Sequence, residues 1–517
     1  MNDLPHLPIF TRDLIASALS RDLDRLVVIG TEGERVTAGE LAGQISRLQQ
    51  FFESLDPRPT RAAVLARNRL EVLSVSNGIS FAGIVMTTLH PMGSVDDYLY
   101  VIEDASIDML VYDADHYEEE AAALKLRAPR LRHVFAMGNG SAGENLVEAA
   151  RAYRPRPLVA PAVDPDGLFR IAYSGGTTGK PKGIMVTHQS AATSAIIQLM
   201  SWEWPKEVRH LICAPLSHSG AAVLTSVLNR GGSMVVLGGF DPVKVMAAIE
   251  QHRITSVLMV PTMVIAMIDH PRFGEFDLSS LEVIFYGASA FATARLKQAI
   301  EKLGPIFFQF YGQAEAPMSI TVMRRDEHDI NDMTRLAGCG RPTALLHVAL
   351  LDDDGGTVPD GEPGEICVRG PLVMGGYLNN PEETAKVFEH GWLHTGDVAI
   401  RSPDGFLRIV DRKKDMIVTG GFNVYAREVE DVLTDHPGVR QAAVIGVPDP
   451  KWGEAVKAVV VLEPGVSIDP LALIARVREK KGSVHAPKSV DFVDALPLSP
   501  LGKPDKKALR KRYTTIS

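Results

Sequence analysis

The sequence predicts a multidomain protein of α/β and α+β class: a large amino-terminal unit of layered α/β subdomains, a small β-barrel-like subdomain, and a small α+β carboxy-terminal unit. Three observations point there. The chain has 517 residues, more than one hydrophobic core normally serves. From about residue 60 to 310, apolar runs alternate with helical periodicity, the pattern of α/β layering. Beyond residue 345 the pattern changes, first to short strands with Gly, Pro and Asp turns, then to a separate unit of about 100 residues, large enough to fold alone.

Taken in order, FRIAYS (169–174) reads as a strand running into a glycine-rich loop, and ITSVLMV (254–260) as a strand after which Pro261 opens a helix reaching about Asp269. LEVIFYG (281–287) is a further strand, ARLKQAIEKLG (294–304) a helix, and PIFFQFYG (305–312) a strand that ends in a turn. The stretches LDDDGG, PDGEPGE and SPDG punctuate the small β unit of 345–411. After DRKKD (411–415), AREVEDVLTDHP is helical, QAAVIGV and EAVKAVVVLEP are strands, DPLALIARVREKKG is helical and SVDFVDALP is a strand. The boundaries expected are 1–411, a junction at 412–414, and 415–517.

Composition excludes several function classes. The net charge of −9 offers no basic surface for nucleic acid. Cys213, Cys339 and Cys367 lie far apart with no CxxC pair, which fits a reducing cytoplasm and argues against a disulfide scaffold or zinc ribbon. The opening stretch MNDLPHLPIFTRDLIASALSRD lacks a basic region followed by an unbroken apolar run, so no secretory signal is expected. The apolar segments around 210–229 and 255–268 carry Pro, His or Ser, or are too short to span a bilayer, so no integral membrane segment is expected.

The most informative stretch is YSGGTTGKPKG (173–183). Its four glycines let the backbone approach an anion closely, and its hydroxyls and ammonium groups add donors. It is not a Walker A loop: Ser174 stands where that pattern needs glycine, and Pro181 where it needs Ser or Thr. A glycine-rich turn with solvated lysines is the alternative. YGQAE (311–315) lies at a strand end, where α/β folds place ligands, and offers an aromatic face and a carboxylate. HTGD (394–397) sets Asp397 after a glycine turn, suited to gripping a pair of hydroxyls. LSPLGKPDKKALR (498–510) carries Lys503 on a Gly/Pro-flanked loop. Each alone has an ordinary structural alternative: a core tyrosine, an Asp turn, a basic terminal helix.

Together, and in this order and approximate spacing, YSGGTTGKPKG, YGQAE, HTGD, DRKKDMIVTGGFNVYAREVE and LGKPDKKALR resemble the adenylate-forming superfamily of acyl-CoA synthetases, firefly-type luciferases and adenylation domains, from about Leu41 to Arg510. That resemblance implies an AMP-forming acid–thiol ligase, an acyl-CoA synthetase. ATP and Mg²⁺ activate a carboxylic acid as acyl-adenylate with release of pyrophosphate, and coenzyme A then takes the acyl group. It implies a nucleotide site built from Ser174, Gly175, Gly176, Thr177, Thr178, Gly179 and Lys182 on the phosphates. Gly287, Ala288, Tyr311, Gly312, Gln313 and Ala314 would lie by the adenine and α-phosphate, and Asp397 and Arg412 on the ribose. Glu315 would hold Mg²⁺, and Lys503 would lie between carboxylate and α-phosphate. Lys414 would be the hinge of a mobile lid domain whose Gly420–Gly421 segment faces the site for thioester formation. The acyl pocket would include His218 as gate, Ser219, Gly220 and Phe310.

The need for a lysine there stands on physics alone, because a carboxylate attacking an anionic phosphate brings like charges together. One departure is Ala314, where relatives usually carry a threonine whose hydroxyl meets the α-phosphate; its loss removes one charge-assisted hydrogen bond, ~1.5–3 kcal/mol. No nearby Asp would pair with an α-amino group, and Phe310 replaces a common glycine, which favours an aromatic, alicyclic or short-to-medium-chain acid. Competing readings are an acyl-AMP ligase serving a carrier protein, a luciferase, and a non-catalytic nucleotide-binding relative. A second copy of the chain stays open as a partner.

Overall fold

A computed structural model describes residues 9–173, 181–420, 422–498 and 504–514. Two large sheets form the body. In the seven-stranded sheet the order is Glu144–Asn145, His133–Met137, Met109–Asp113, Arg61–Leu65, Val85–Thr88, Leu168–Tyr173, Gly183–Thr187. All its pairings are parallel except the last, which turns back on Leu168–Tyr173. The nine-stranded sheet runs Arg341–Pro342, Ala316–Met323, Phe307–Gln313, Val283–Tyr286, Ser256–Met259, Arg209–Ile212, Ser233–Val236, Leu26–Ile29, Arg35–Thr37, with a parallel centre and antiparallel edges.

The central strands are apolar along their whole length because both faces are covered. Val283–Tyr286 is buried at every residue. One core joins the sheets, drawing Ala62 and Val64 from one, Phe285 and Phe308 from the other, and the helices Ala38–Ser54 and Leu70–Phe81 between them. Helix starts follow local chemistry. Thr37 caps Ala38–Ser54 with Glu40 closing a capping box, and Pro261 opens Pro261–Ile268 where its missing N–H costs nothing.

The small β unit is an antiparallel meander, His347–Leu351, Pro363–Arg369, Leu393–Arg401, Leu407–Arg412. The carboxy-terminal unit has its own core, in which Val429 and Leu433 of helix Ala426–Thr434 pack on Val444 and Val456 of the strands Val439–Asp449 and Gly453–Leu462. Among the described residues no helix is long and apolar enough to cross a membrane.

Two elements differ from the sequence reading. Layering begins before residue 60: Leu26–Ile29 and Arg35–Thr37 complete one edge of the nine-stranded sheet, so the chain starts in that sheet, builds much of the other, and returns. The strand expected over 305–312 runs on to Gln313, turns through Ala314 and Glu315, and pairs with Ala316–Met323. YGQAE is therefore the tip of a hairpin rather than a segment following a strand. Gly312 is required there, since a Cβ would lie 2.4 Å from the Met318 nitrogen.

Candidate active site

The carboxyl ends of adjacent parallel strands bring the first group together. Val283–Tyr286 is in register with Phe307–Gln313, so Gly287 lies against Phe310. A Cβ on Gly287 would fall 2.3 Å from the Phe310 carbonyl oxygen and 2.7 Å from its ring; only glycine admits the ring. Phe310 is 4% exposed and stacks on Trp202 with centroids 5.1 Å apart. Ala288 follows in a left-handed conformation at φ +65° and is exposed. Gly312 and Gln313 are half-buried, and Ala314 is exposed at the hairpin tip.

Asp397 and Arg412 face each other across the meander as register partners. Arg412 Nε is 3.0 Å from one Asp397 oxygen, and the Tyr311 hydroxyl donates to the other at 2.7 Å. Asp397 is 4% exposed, and its charge raises the Arg412 pKa further. Tyr311 is pushed well above the usual phenol range by burial and then by Asp397, so it remains a donor. The turn before Asp397 is braced from a neighbouring strand: Glu365 accepts from the Gly396 N–H at 2.8 Å and lies 3.0 Å from His394 Nδ1.

Glu315 and Lys182 meet through residues that no local motif announced. The segment 374–378 straps the hairpin to the strand leaving the glycine-rich loop. Met374 N–H donates to Glu315 O at 2.8 Å, and Leu378 N–H to Gly183 O at 2.7 Å. Tyr377 in that strap donates its hydroxyl to Glu315 Oε1 at 2.9 Å, and the Lys182 ammonium lies 4.9 Å from its ring centroid. Lys182 also pairs with Glu383, whose carboxyl it holds below the ordinary range. Tyr377 and Glu383 are 62 and 201 residues from their partners, beyond any spacing signal.

His218, Ser219 and Gly220 lie on the loop after Arg209–Ile212. Asn68 holds that loop, donating to Ala214 O at 2.9 Å and accepting from Leu216 N–H at 2.7 Å, and Thr88 Oγ1 donates to Ser217 O at 2.7 Å. Gly220 is forced by the turn, since a Cβ would lie 2.4 Å from Ala214 O. His218 meets His90 edge-on at 5.0 Å and lies 3.0 Å from Ser217 Oγ. Burial, then His90, then Arg170 push its pKa down to about 4, so the ring is neutral at neutral pH. Asn68, Thr88 and His90 escaped the sequence reading because they sit in no recognisable motif.

Lys414 falls in the turn Lys413–Asp415 that joins the meander to the carboxy-terminal unit. Its neighbour Lys413 is fastened to Asp353 at 2.6 Å and Glu365 at 3.2 Å. Gly420 stands at φ +58°, with the Trp452 ring 2.8 Å from where a Cβ would be. Ser174, Gly175, Gly176, Thr177, Thr178, Gly179, Gly421 and Lys503 lie outside the described residues.

Two donor sets bear on a metal. Glu365, Cys367 and His394 bring ligand atoms within 4.8 Å of one another, but Lys413 already supplies the cation there. Glu315 suits Mg²⁺ better: Tyr377 takes one of its oxygens, and a single carboxylate completed by phosphate oxygens is an ordinary donor set for that ion. The arrangement as a whole brings together an acid–base pair with a tyrosine hydroxyl, a carboxylate at a hairpin tip, and a lysine beside a glycine-rich loop.

Comparison with known proteins agrees in kind. Residues 15–378 match the family model described as AMP-binding enzyme, and residues 428–503 match that of the AMP-binding enzyme C-terminal domain. The medium/long-chain-fatty-acid–CoA ligase FadD8 of Mycobacterium tuberculosis is 48% identical over 99% of this chain and 91% of its own. A feruloyl-CoA synthase of Amycolatopsis sp. is 37% identical over 93% and 94%. Among solved structures, the amide bond synthetase McbA of Marinactinospora thermotolerans superposes with a TM-score of 0.88 at 33% identity, covering 97% of this chain and 99% of that one.

Proposed function

Because this chain belongs to the AMP-binding enzyme family and carries that family's C-terminal domain, we propose that it joins a carboxylic acid to coenzyme A at the expense of ATP, releasing AMP and pyrophosphate. The observation that carries the site assignment is the convergence of Tyr311, Asp397 and Arg412 on one side of the hairpin tip with Glu315, Tyr377 and Lys182 on the other.

In this reading Asp397 and Arg412 grip the ribose, Tyr311 lies along the adenine beside Gly287 and Ala288, and Lys182 leaves Glu383 for the departing phosphates. Bound at Glu315, Mg²⁺ supplies charge neutralisation for the phosphates. Neutral His218 flanks the acid carboxylate without competing as a cation, and no general base is needed because the nucleophile is already ionised. Lys503 completes the site by offsetting the repulsion between carboxylate and α-phosphate. Ala314 offers no hydroxyl, and Gln313 stands next to it as a substitute donor.

Phe310, packed between Trp202 and Gly287, closes the floor of the acyl pocket, which supports an aromatic, alicyclic or short-to-medium-chain acid. The domain division at 412–414, with 415–517 as a lid, belongs to the same proposal. So does a cytoplasmic location, which suits three buried free cysteines.

The test is a panel of carboxylic acids assayed for AMP, pyrophosphate and thioester with coenzyme A present. AMP and pyrophosphate in equal amounts are expected, and ADP would overturn the reading. Lys503→Ala should slow adenylate formation by about 10²–10³ yet still convert supplied acyl-adenylate and coenzyme A to thioester.

A further inference from the structure

Among the described residues, no counter-charge is paired with a positive charge in the seam between the two large sheets. Arg170 lies on the strand Leu168–Tyr173 in register with Met86, Met86 is in register with Ala62, and Ala62 with Met109. Ala62 and Met109 are buried in the core shared by the sheets, and Met86 packs against it. In-register neighbours on adjacent strands project to the same face, so Arg170 projects into the seam with them. Its Nε is buried and has no hydrogen-bond partner. Burial draws the pKa of the guanidinium down, and among the described residues no carboxylate holds it up. The following segment 174–180, SGGTTGK, contains no acid either.

Two imidazoles complete the cluster. His90 emerges two residues beyond the end of Val85–Thr88, the parallel neighbour of the Arg170 strand, and its ring meets that of His218 at 5.0 Å. Burial lowers the pKa of His90, and burial, His90 and the Arg170 charge lower that of His218 to about 4. Both rings are therefore neutral, and the cluster keeps the single positive charge of the guanidinium. Arg170 is half-buried with its Nε enclosed and unpartnered, and a charge kept partly out of water without a partner is costly to the fold, so a ligand that brings a counter-ion gains by meeting it.

We propose that Arg170, flanked by His90 and His218, anchors a carboxylate of the acid substrate. This rests on the acyl-activating reading above and names a recognition element within it. The carboxylate is either the one to be activated or a second one on the same acid, and matched substrates separate these. The experiment compares the wild type with R170Q and R170K on octanoate and octanedioate. It measures KM for acid and for ATP, the unliganded thermal midpoint, and acid binding by calorimetry without ATP.

R170Q is expected to raise the KM for acid and the calorimetric Kd by about ten- to a hundredfold, to leave the KM for ATP within about twofold, and to keep or raise the midpoint. R170K should recover part of the loss. A penalty on both acids assigns the reacting carboxylate, and a penalty on the diacid alone assigns a second one. Unchanged acid KM and Kd for both, or a lowered midpoint with equal losses for acid and ATP, would overturn the proposal and leave Arg170 a structural residue. If the wild type forms no AMP from any acid, it is the ligase reading that fails, and the calorimetric comparison still decides whether Arg170 holds a carboxylate.

Discussion

Asp397 has both carboxylate oxygens engaged, one by Tyr311 and one by Arg412, which locks its orientation in the unliganded protein. Asp397→Asn keeps the shape but removes the charge facing Arg412, and a charge-assisted hydrogen bond is worth about 1.5–3 kcal/mol. The expected result is a rise of about ten- to a hundredfold in the KM for ATP, with a smaller effect on the KM for acid, read from initial rates. At the same scale, three buried imidazoles resist protonation: His188 and His328 have pKa values pushed down to about 4 and His210 to about 3, burial being the largest cause in each. The unfolded chain takes up these protons below about pH 6.5, while the folded chain does not until about pH 3–4. Stability is therefore complete above pH 6.5 and falls with acidification through that window, by an amount on the order of a few kcal/mol per histidine. The thermal midpoint should drop from pH 7 to 4, and His210→Asn should flatten that slope whatever it does at pH 7. Asp397 could be picked out in the sequence because a glycine turn precedes it. Tyr377 could not, because its meaning depends on a carboxylate 62 residues away.

At the level of elements, the last helix described, Lys506–Thr514, is held in the carboxy-terminal unit by packing and by one ion pair. Leu509 is buried in a small core with Ile445 and Val459, and Lys506 reaches Glu430 of helix Ala426–Thr434 at 2.7 Å. Glu430 also accepts from the Val444 N–H, so that carboxylate ties a helix to a strand and to the terminal helix at once. Lys506→Met leaves Glu430 enclosed without its cation, a change that typically costs about 3–5 kcal/mol. Faster hydrogen exchange over 504–514 and 426–434, with the core of the large sheets unaffected, is the expected outcome. Helices were readable from periodicity and from proline at their first position. The hairpin Ile417–Thr419 with Phe422–Val424 was not, because strands of three residues carry too little alternation to register. The turn at Ala314–Glu315 was missed for a different reason: neither residue is a usual turn former, and the glycine that suggested a turn, Gly312, serves close packing on Met318 instead.

For the whole molecule, the proposed junction at 412–414 lies by the turn Lys413–Asp415, and the meander and the carboxy-terminal unit also touch through Arg408–Glu428 at 3.3 Å and Arg510–Asp415 at 3.0 Å. These are partly exposed pairs of the kind that contribute little individually, so they can exchange partners if the smaller unit rotates. Lys414→Pro fixes a backbone dihedral at the junction. It should slow thioester formation more than ATP–pyrophosphate exchange; equal losses in the two half-reactions would remove the hinge from the proposal. The family and the fold class followed from the chain alone, because the motifs that carry them are short stretches whose neighbours impose the backbone. Tertiary structure alone decided that Tyr377 reaches Glu315, that Phe310 fills the space left by Gly287, and that Arg170 lies in the seam with His90 and His218. Such meetings depend on strand register and on the summed packing of many distant side chains, and no local pattern encodes that sum.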